Sequence, residues 1–125
     1  MKTCPELVQQ IMPNIKTISI DELPAKLEQD NALLIDVREP GEFGQGHIDS
    51  AVSMPRGVLE MKIHQHPAVQ NYDSPKEALQ ALADYDIYLI CQAGGRSALA
   101  TESLQRMGFE NVYSVNGGMN AWQNK

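Results

Sequence analysis

The chain has little that would staple it, anchor it or draw it to polyanions. Two cysteines in 125 residues are too few for a disulfide framework. Nothing in the spacing of Cys4 and Cys91 argues for a bridge, so both read as free thiols of a reducing compartment. No apolar run approaches the ~18 residues of a membrane span. The amino-terminal segment lacks the apolar core of a signal peptide, because Glu6, Gln9 and Gln10 interrupt it. The expectation is a cytoplasmic protein with no membrane partner. Basic residues are outnumbered, 10 Lys and Arg against 16 Asp and Glu, for a formal net charge of −6. Such a surface would repel backbone phosphates, which argues against nucleic acid as a partner. It also offers an anionic substrate no long-range attraction, so anion selectivity must be local. His64 and His66, one residue apart with no cysteine or further histidine nearby, do not meet a usual metal-ligand count.

What is present suits one domain with its own core. Thr3 to Met12 reads as a short accessory helix with a Thr3–Glu6 capping box, leaving 15–125 as the domain proper. Ile15–Ile20 alternates as an edge strand. A helix through Leu23 and Leu27 follows, its start open between Ser19 and Asp21 because Pro24 must fall in the first turn. The apolar run Ala32–Val37 predicts a strand buried on both faces. Short helical turns are expected at Glu39–Phe43 and Arg56–Ile63, with a strand at Ala51–Met54 between them. His64 to Tyr72, without a clean period, reads as an exposed loop. Ser74-Pro75-Lys76-Glu77 is a helix start, Asn111–Val115 is the last strand, and Met119–Gln123 is a closing helix that buries Trp122. Strands alternating with helices predict an α/β parallel sheet with helices on both faces.

The stretch from Ile87 to Ala100 organises the rest. Ile87–Ile90 is a short strand, and Cys91 stands where it should end. Gly94, Gly95, Arg96 and Ser97 lead into a helix with Ala100, Leu104 and Met107 on one face, stopped by a left-handed cap at Gly108. Strand, glycine-bearing loop and helix start converge unpaired backbone N–H groups on one point. Anions bind in such a place, and it favours a thiolate over a thiol. A lone strand-end cysteine is usually a core residue; this context makes Cys91 a candidate nucleophile. Gln92, Ala93, Gly94, Gly95, Arg96 and Ser97 are then its candidate substrate cradle. Asp36, Arg38 and Glu39, beside a buried strand, are expected to form an ion-pair network supporting that loop. Arg56, after Pro55 at a strand end, is either a second cation at the pocket mouth or a solvated surface residue. His47 reads as a structural hydrogen-bonding residue.

The loop Cys91–Ser97 resembles the active-site loop of single-domain rhodaneses, the thiosulfate sulfurtransferases. The resemblance extends through Asp36-Val37-Arg38-Glu39-Pro40-Gly41-Glu42-Phe43, Gly46-His47-Ile48, Met54 to Glu60, and Gly117-Gly118 with Trp122. It covers Ile18 to Trp122. One departure lies at Asp49-Ser50, where the family pattern has Pro-Gly. The resemblance implies a rhodanese-like α/β fold with a five-stranded parallel sheet in the order 1-5-4-2-3. It also implies double displacement through a Cys91 persulfide, from thiosulfate or a persulfide donor to a thiol or cyanide acceptor, with a protein thiol as a further candidate partner. No cofactor or metal is implied. Two other readings belong to the same fold: a non-catalytic binding or regulatory module, and a cysteine-dependent phosphatase or arsenate reductase. Related phosphatases place five residues between cysteine and arginine; here only Gln92 to Gly95 intervene, a tighter ring suited to a single sulfur.

Overall fold

The computed structural model describes residues 1–125. Its sheet comprises β1 (Lys16–Ile18), β2 (Ala32–Asp36), β3 (Val52–Ser53), β4 (Asp86–Ile90) and β5 (Val112–Val115). The strand order is β1-β5-β4-β2-β3, and every pairing is parallel, as the resemblance implies. Parallel neighbours require crossovers. The chain's helices are α1 (Cys4–Ile11), α2 (Leu23–Leu27), α3 (Pro40–Gly44), α4 (Leu59–Lys62), α5 (Pro75–Leu82), α6 (Gly95–Met107) and α7 (Gly118–Gln123).

Alternation along β4 feeds two cores. Ile87, Leu89 and Cys91 pack with Leu59 of α4, Leu82 of α5 and Leu104 of α6. Tyr88 and Ile90 pack on the other face with Leu23 of α2 and Met119 of α7. A strand buried on both sides has no solvent face to record, which is why its sequence is continuously apolar. Trp122 packs partly buried against the second core. No helix is long and apolar enough to cross a membrane.

Local chemistry sets the element ends. Thr3 and Glu6 exchange reciprocal cap bonds of 3.3 and 3.0 Å at the start of α1. Ser19 and Glu22 do likewise at 3.2 and 3.0 Å, but in a turn ahead of α2. The helix itself begins at Leu23, which keeps Pro24 in the first turn where its missing N–H is harmless. Gly108 ends α6 at φ +111°, and the Phe109 N–H donates to the Leu104 carbonyl at 3.1 Å.

The segment 64–72 is exposed at most of its positions, as its sequence suggests, but it is not a structureless loop. Two 3₁₀ segments, Ile63–Gln65 and Pro67–Val69, bury Ile63, His66 and Val69. Their spacing of three is the 3₁₀ period, which a search for 3.6 passes over.

Candidate active site

Cys91 follows the last residue of β4, and Ile90 is in register with Asp36 at the end of β2. The two strand ends therefore present their residues side by side at the carboxyl edge of the sheet, where ligands of such sheets bind. Cys91 is 1% exposed. Its Sγ accepts the Gly94 N–H at 3.0 Å and the Ser97 N–H at 3.4 Å. Gly94, at φ +114°, turns the loop back over the sulfur and into α6, a conformation that suits glycine. The N–H groups of Gln92, Ala93, Gly95 and Arg96 find no acceptor in the chain. Of the six consecutive amides that follow the sulfur, two thus donate to it and four are unengaged, at the positive end of α6.

Beneath the ring lies a buried hydroxyl chain. Ser97 and Ser114 are 0% and 1% exposed. The Ser97 hydroxyl donates to the Gly94 carbonyl at 3.1 Å and accepts the Cys91 thiol at 3.5 Å. A hydroxyl has one proton, so the 2.8 Å Ser97–Ser114 bond has Ser114 as its donor. Replacing Ser97 by alanine would orphan the Ser114 hydroxyl, a cost of about 1–3 kcal/mol.

The start of α7 clamps the loop from the far side. The Met119 N–H donates to the Cys91 carbonyl at 2.8 Å, and the Asn120 N–H to that of Gln92 at 2.9 Å. This approach requires Gly118: a Cβ there would stand 2.3 Å from the Cys91 carbonyl oxygen. The Gln92 side chain donates to Asn120 Oδ1 at 2.6 Å and accepts from Arg38 at 3.1 Å. Its amide group is therefore structural, and only its backbone faces the ring.

Arg38 is the hub of the support. Its Nε and one terminal nitrogen engage the Asp36 carboxylate at 3.0 and 2.8 Å, and it also donates to the Gly46 carbonyl at 2.9 Å. Both residues are essentially buried, so removing either would leave an uncompensated charge at about 3–5 kcal/mol. Glu39 is not in this network. It is exposed and caps α3, where its N–H donates to Glu42 Oε1 at 3.0 Å. The acid that engages the loop is Glu42, three residues on: Arg96 donates to its two oxygens at 2.7 and 3.0 Å. That bidentate pairing, with the Glu39 N–H, holds the Glu42 carboxyl at about 2.

Arg56 is not brought to the ring. It donates to Ser103 Oγ at 3.0 Å and pairs with Glu60 at 3.5 Å. Ser103 lies seven residues past Arg96 along α6, roughly 10 Å at the helical rise. His47 Nδ1 donates to the Phe43 carbonyl at 2.9 Å, and the ring stacks on the Phe43 ring at 3.7 Å, a structural role as read from its turn. Cys4 is exposed and unbonded. It lines a cavity of about 560 Å³ that Val8 and Met12 share with Ala93, Gly94 and Gly95, so α1 borders the loop.

Sequence reasoning passed over Glu42, Ser114, Gly118 and Asn120 as site residues. Ser114, a polar residue inside the apolar run Val112–Val115, carried the clearest signal; the others meet the loop only through the fold.

A family model for the rhodanese-like domain matches residues 19–125. A Bacillus subtilis protein provisionally named as the sulfur carrier YrkF is 31% identical over 113 residues, covering 90% of this chain and 53% of that protein. A Schizosaccharomyces pombe protein provisionally named as a mitochondrial thiosulfate sulfurtransferase is 31% identical over 97 residues, 76% of this chain and 66% of that one. The chain thus spans about half to two thirds of the length of these curated relatives. Among solved structures, a Rhodopseudomonas palustris protein of unknown function, described as a possible tyrosine phosphatase, superposes with a TM-score of 0.79 at 26% identity, covering 99% of this chain and 91% of that one. With α1 and β1 outside the matched residues, and the Cys91 loop, its clamp and the other four strands inside them, the chain belongs to the rhodanese-like domain family.

Proposed function

We propose that the protein is a sulfurtransferase that carries a sulfane sulfur on Cys91. The observation that carries this reading is the run of six amides from Gln92 to Ser97, two of them donating to Sγ and four unengaged. In the first half-reaction the Cys91 thiolate attacks the outer sulfur of thiosulfate or of a persulfide donor. The S–S bond of the donor breaks and its electron pair leaves with sulfite or with the donor thiolate. The terminal sulfur of the Cys91 persulfide is anionic and lies among the unengaged amides, which stabilise it without an acid or a metal. In the second half-reaction a thiol or cyanide attacks that terminal sulfur, and Cys91 returns as thiolate. Relatives provisionally named as a sulfur carrier and a thiosulfate sulfurtransferase favour this chemistry. Ser97 and the ring of Gln92 to Gly95 shape the cradle. Arg96 is the only charged residue of its loop, and Arg38 and Asp36 support the loop through Gln92.

A phosphatase reading is favoured by one observation, the R. palustris structure described as a possible tyrosine phosphatase. The four-residue interval between Cys91 and Arg96 weighs against it, because a ring one residue shorter suits a single sulfur better than a tetrahedral group. Initial rates over a grid of thiosulfate and cyanide concentrations test the proposal. Parallel double-reciprocal lines, abolished in Cys91→Ser, are expected of a covalent sulfur intermediate. Faster hydrolysis of an aryl phosphate than transfer of sulfur would overturn it.

A further inference from the structure

The Arg96–Glu42 pair has a consequence for the donor, given the sulfur-transfer reading above. Arg96 is the only charged residue of the loop from Cys91 to Ser97. Both ends of its guanidinium fork are taken by one carboxylate. Glu42 is fixed in turn by the Glu39 N–H, and at about 2 it is ionised throughout the physiological range. The two side chains are 36% and 35% exposed, so the pair faces solvent. Arg96 immediately precedes Ser97, whose N–H and hydroxyl both contact the Cys91 sulfur, so the pair is anchored next to the residue that touches it. Arg56, the other candidate cation, is committed to Ser103 and Glu60, and Arg38 is committed to Asp36.

An incoming anion therefore meets a neutral pair on a chain of net charge −6. The ring amides stabilise the sulfur being transferred, whatever it is attached to. They do not compensate a second charge on the part of the donor that leaves. We infer that Glu42 is a specificity-determining residue: by cancelling the charge of Arg96 it sets the site for sulfane-sulfur donors of single negative charge, persulfides and thiosulfonates, over dianionic thiosulfate. The chemistry is unchanged. Cys91 takes the terminal sulfur, the donor S–S bond breaks, and the electron pair leaves with a sulfinate or thiolate in place of sulfite.

Thiosulfate and methanethiosulfonate offer the same terminal sulfur and differ by one charge, so their ratio isolates the effect. The measurement is kcat/KM for each donor in the full chain, in Glu42→Gln and in Arg96→Gln. The thiosulfate to methanethiosulfonate ratio should rise about fivefold in Glu42→Gln, which frees the cation, and fall about fivefold in Arg96→Gln, which leaves the carboxylate uncompensated. Added salt should shrink both shifts. Loss of loop structure alone would depress both donors together and leave the ratio unmoved, and that result in both variants would overturn the inference. Failure of both donors to add sulfur to Cys91 of the unaltered protein would overturn the sulfur-transfer reading itself, a result the ratio cannot imitate.

Discussion

A second proton has no favourable place on His66. Its Nδ1 accepts the Ala68 N–H at 3.0 Å, so the neutral ring carries its hydrogen on Nε2, which is buried without a partner. Burial lowers its pKa from the usual 6.5. The unfolded chain therefore binds a proton below about pH 6.5 that the folded chain refuses, and stability must fall as pH drops through that window. His66→Asn can keep the Ala68 bond through its amide oxygen and does not titrate. Urea unfolding between pH 7.5 and 5.5 should show a shallower decline in the variant; equal slopes would contradict this account. Glu42 acts in a separate window. Its lowered pKa gives stability that is present above about 4.5 and lost as pH falls towards 2. At this scale the sequence revealed residues whose chemistry is contiguous: Cys91 with its loop, and Asp36 with Arg38. It did not reveal residues whose partner lies far along the chain. Glu42 meets Arg96 across 54 positions, Gln92 meets Asn120 across 28, and Ser97 meets Ser114 across 17.

Among the elements, α7 decides whether the loop holds its shape. Gly117 and Gly118 turn the chain into α7 at φ +79° and +54°. Only the fold shows that Gly118 is also where two backbones touch. Gly118→Ala should cost about 3 kcal/mol or more, combining backbone strain with a contact that cannot relax. Because the displaced atom is the Cys91 carbonyl, sulfur transfer should fall with it. Gly108→Ala is the control. It too has positive φ, but a Cβ there meets nothing within 4 Å, so about 1–2 kcal/mol of strain is expected with activity per folded molecule retained. Thermal unfolding and transfer rates of the two variants check the contrast, and equal losses of activity would contradict the clamp. The helices and strands with strong caps or long apolar runs were legible, as α5, α6, β2 and β4 show. The 3₁₀ segments around His66 were not, because their burial depends on the surface they pack against.

For the whole molecule, the sheet order was legible through the resemblance, and the parallel geometry through strand–helix alternation. Both put Cys91 and Asp36 on adjacent strand ends. The charge of the chain, −6, leaves substrate capture to the ring of amides, so the ability of that ring to hold a sulfane sulfur is the central claim. Intact mass of the native protein after incubation with thiosulfate or a persulfide donor, and removal of excess donor, tests it most directly. The account predicts a gain of one sulfur atom, reversed by cyanide or a reducing thiol, absent in Cys91→Ser and retained in Cys4→Ser. Protein that gains no sulfur from either donor, or gains it equally without Cys91, would contradict it.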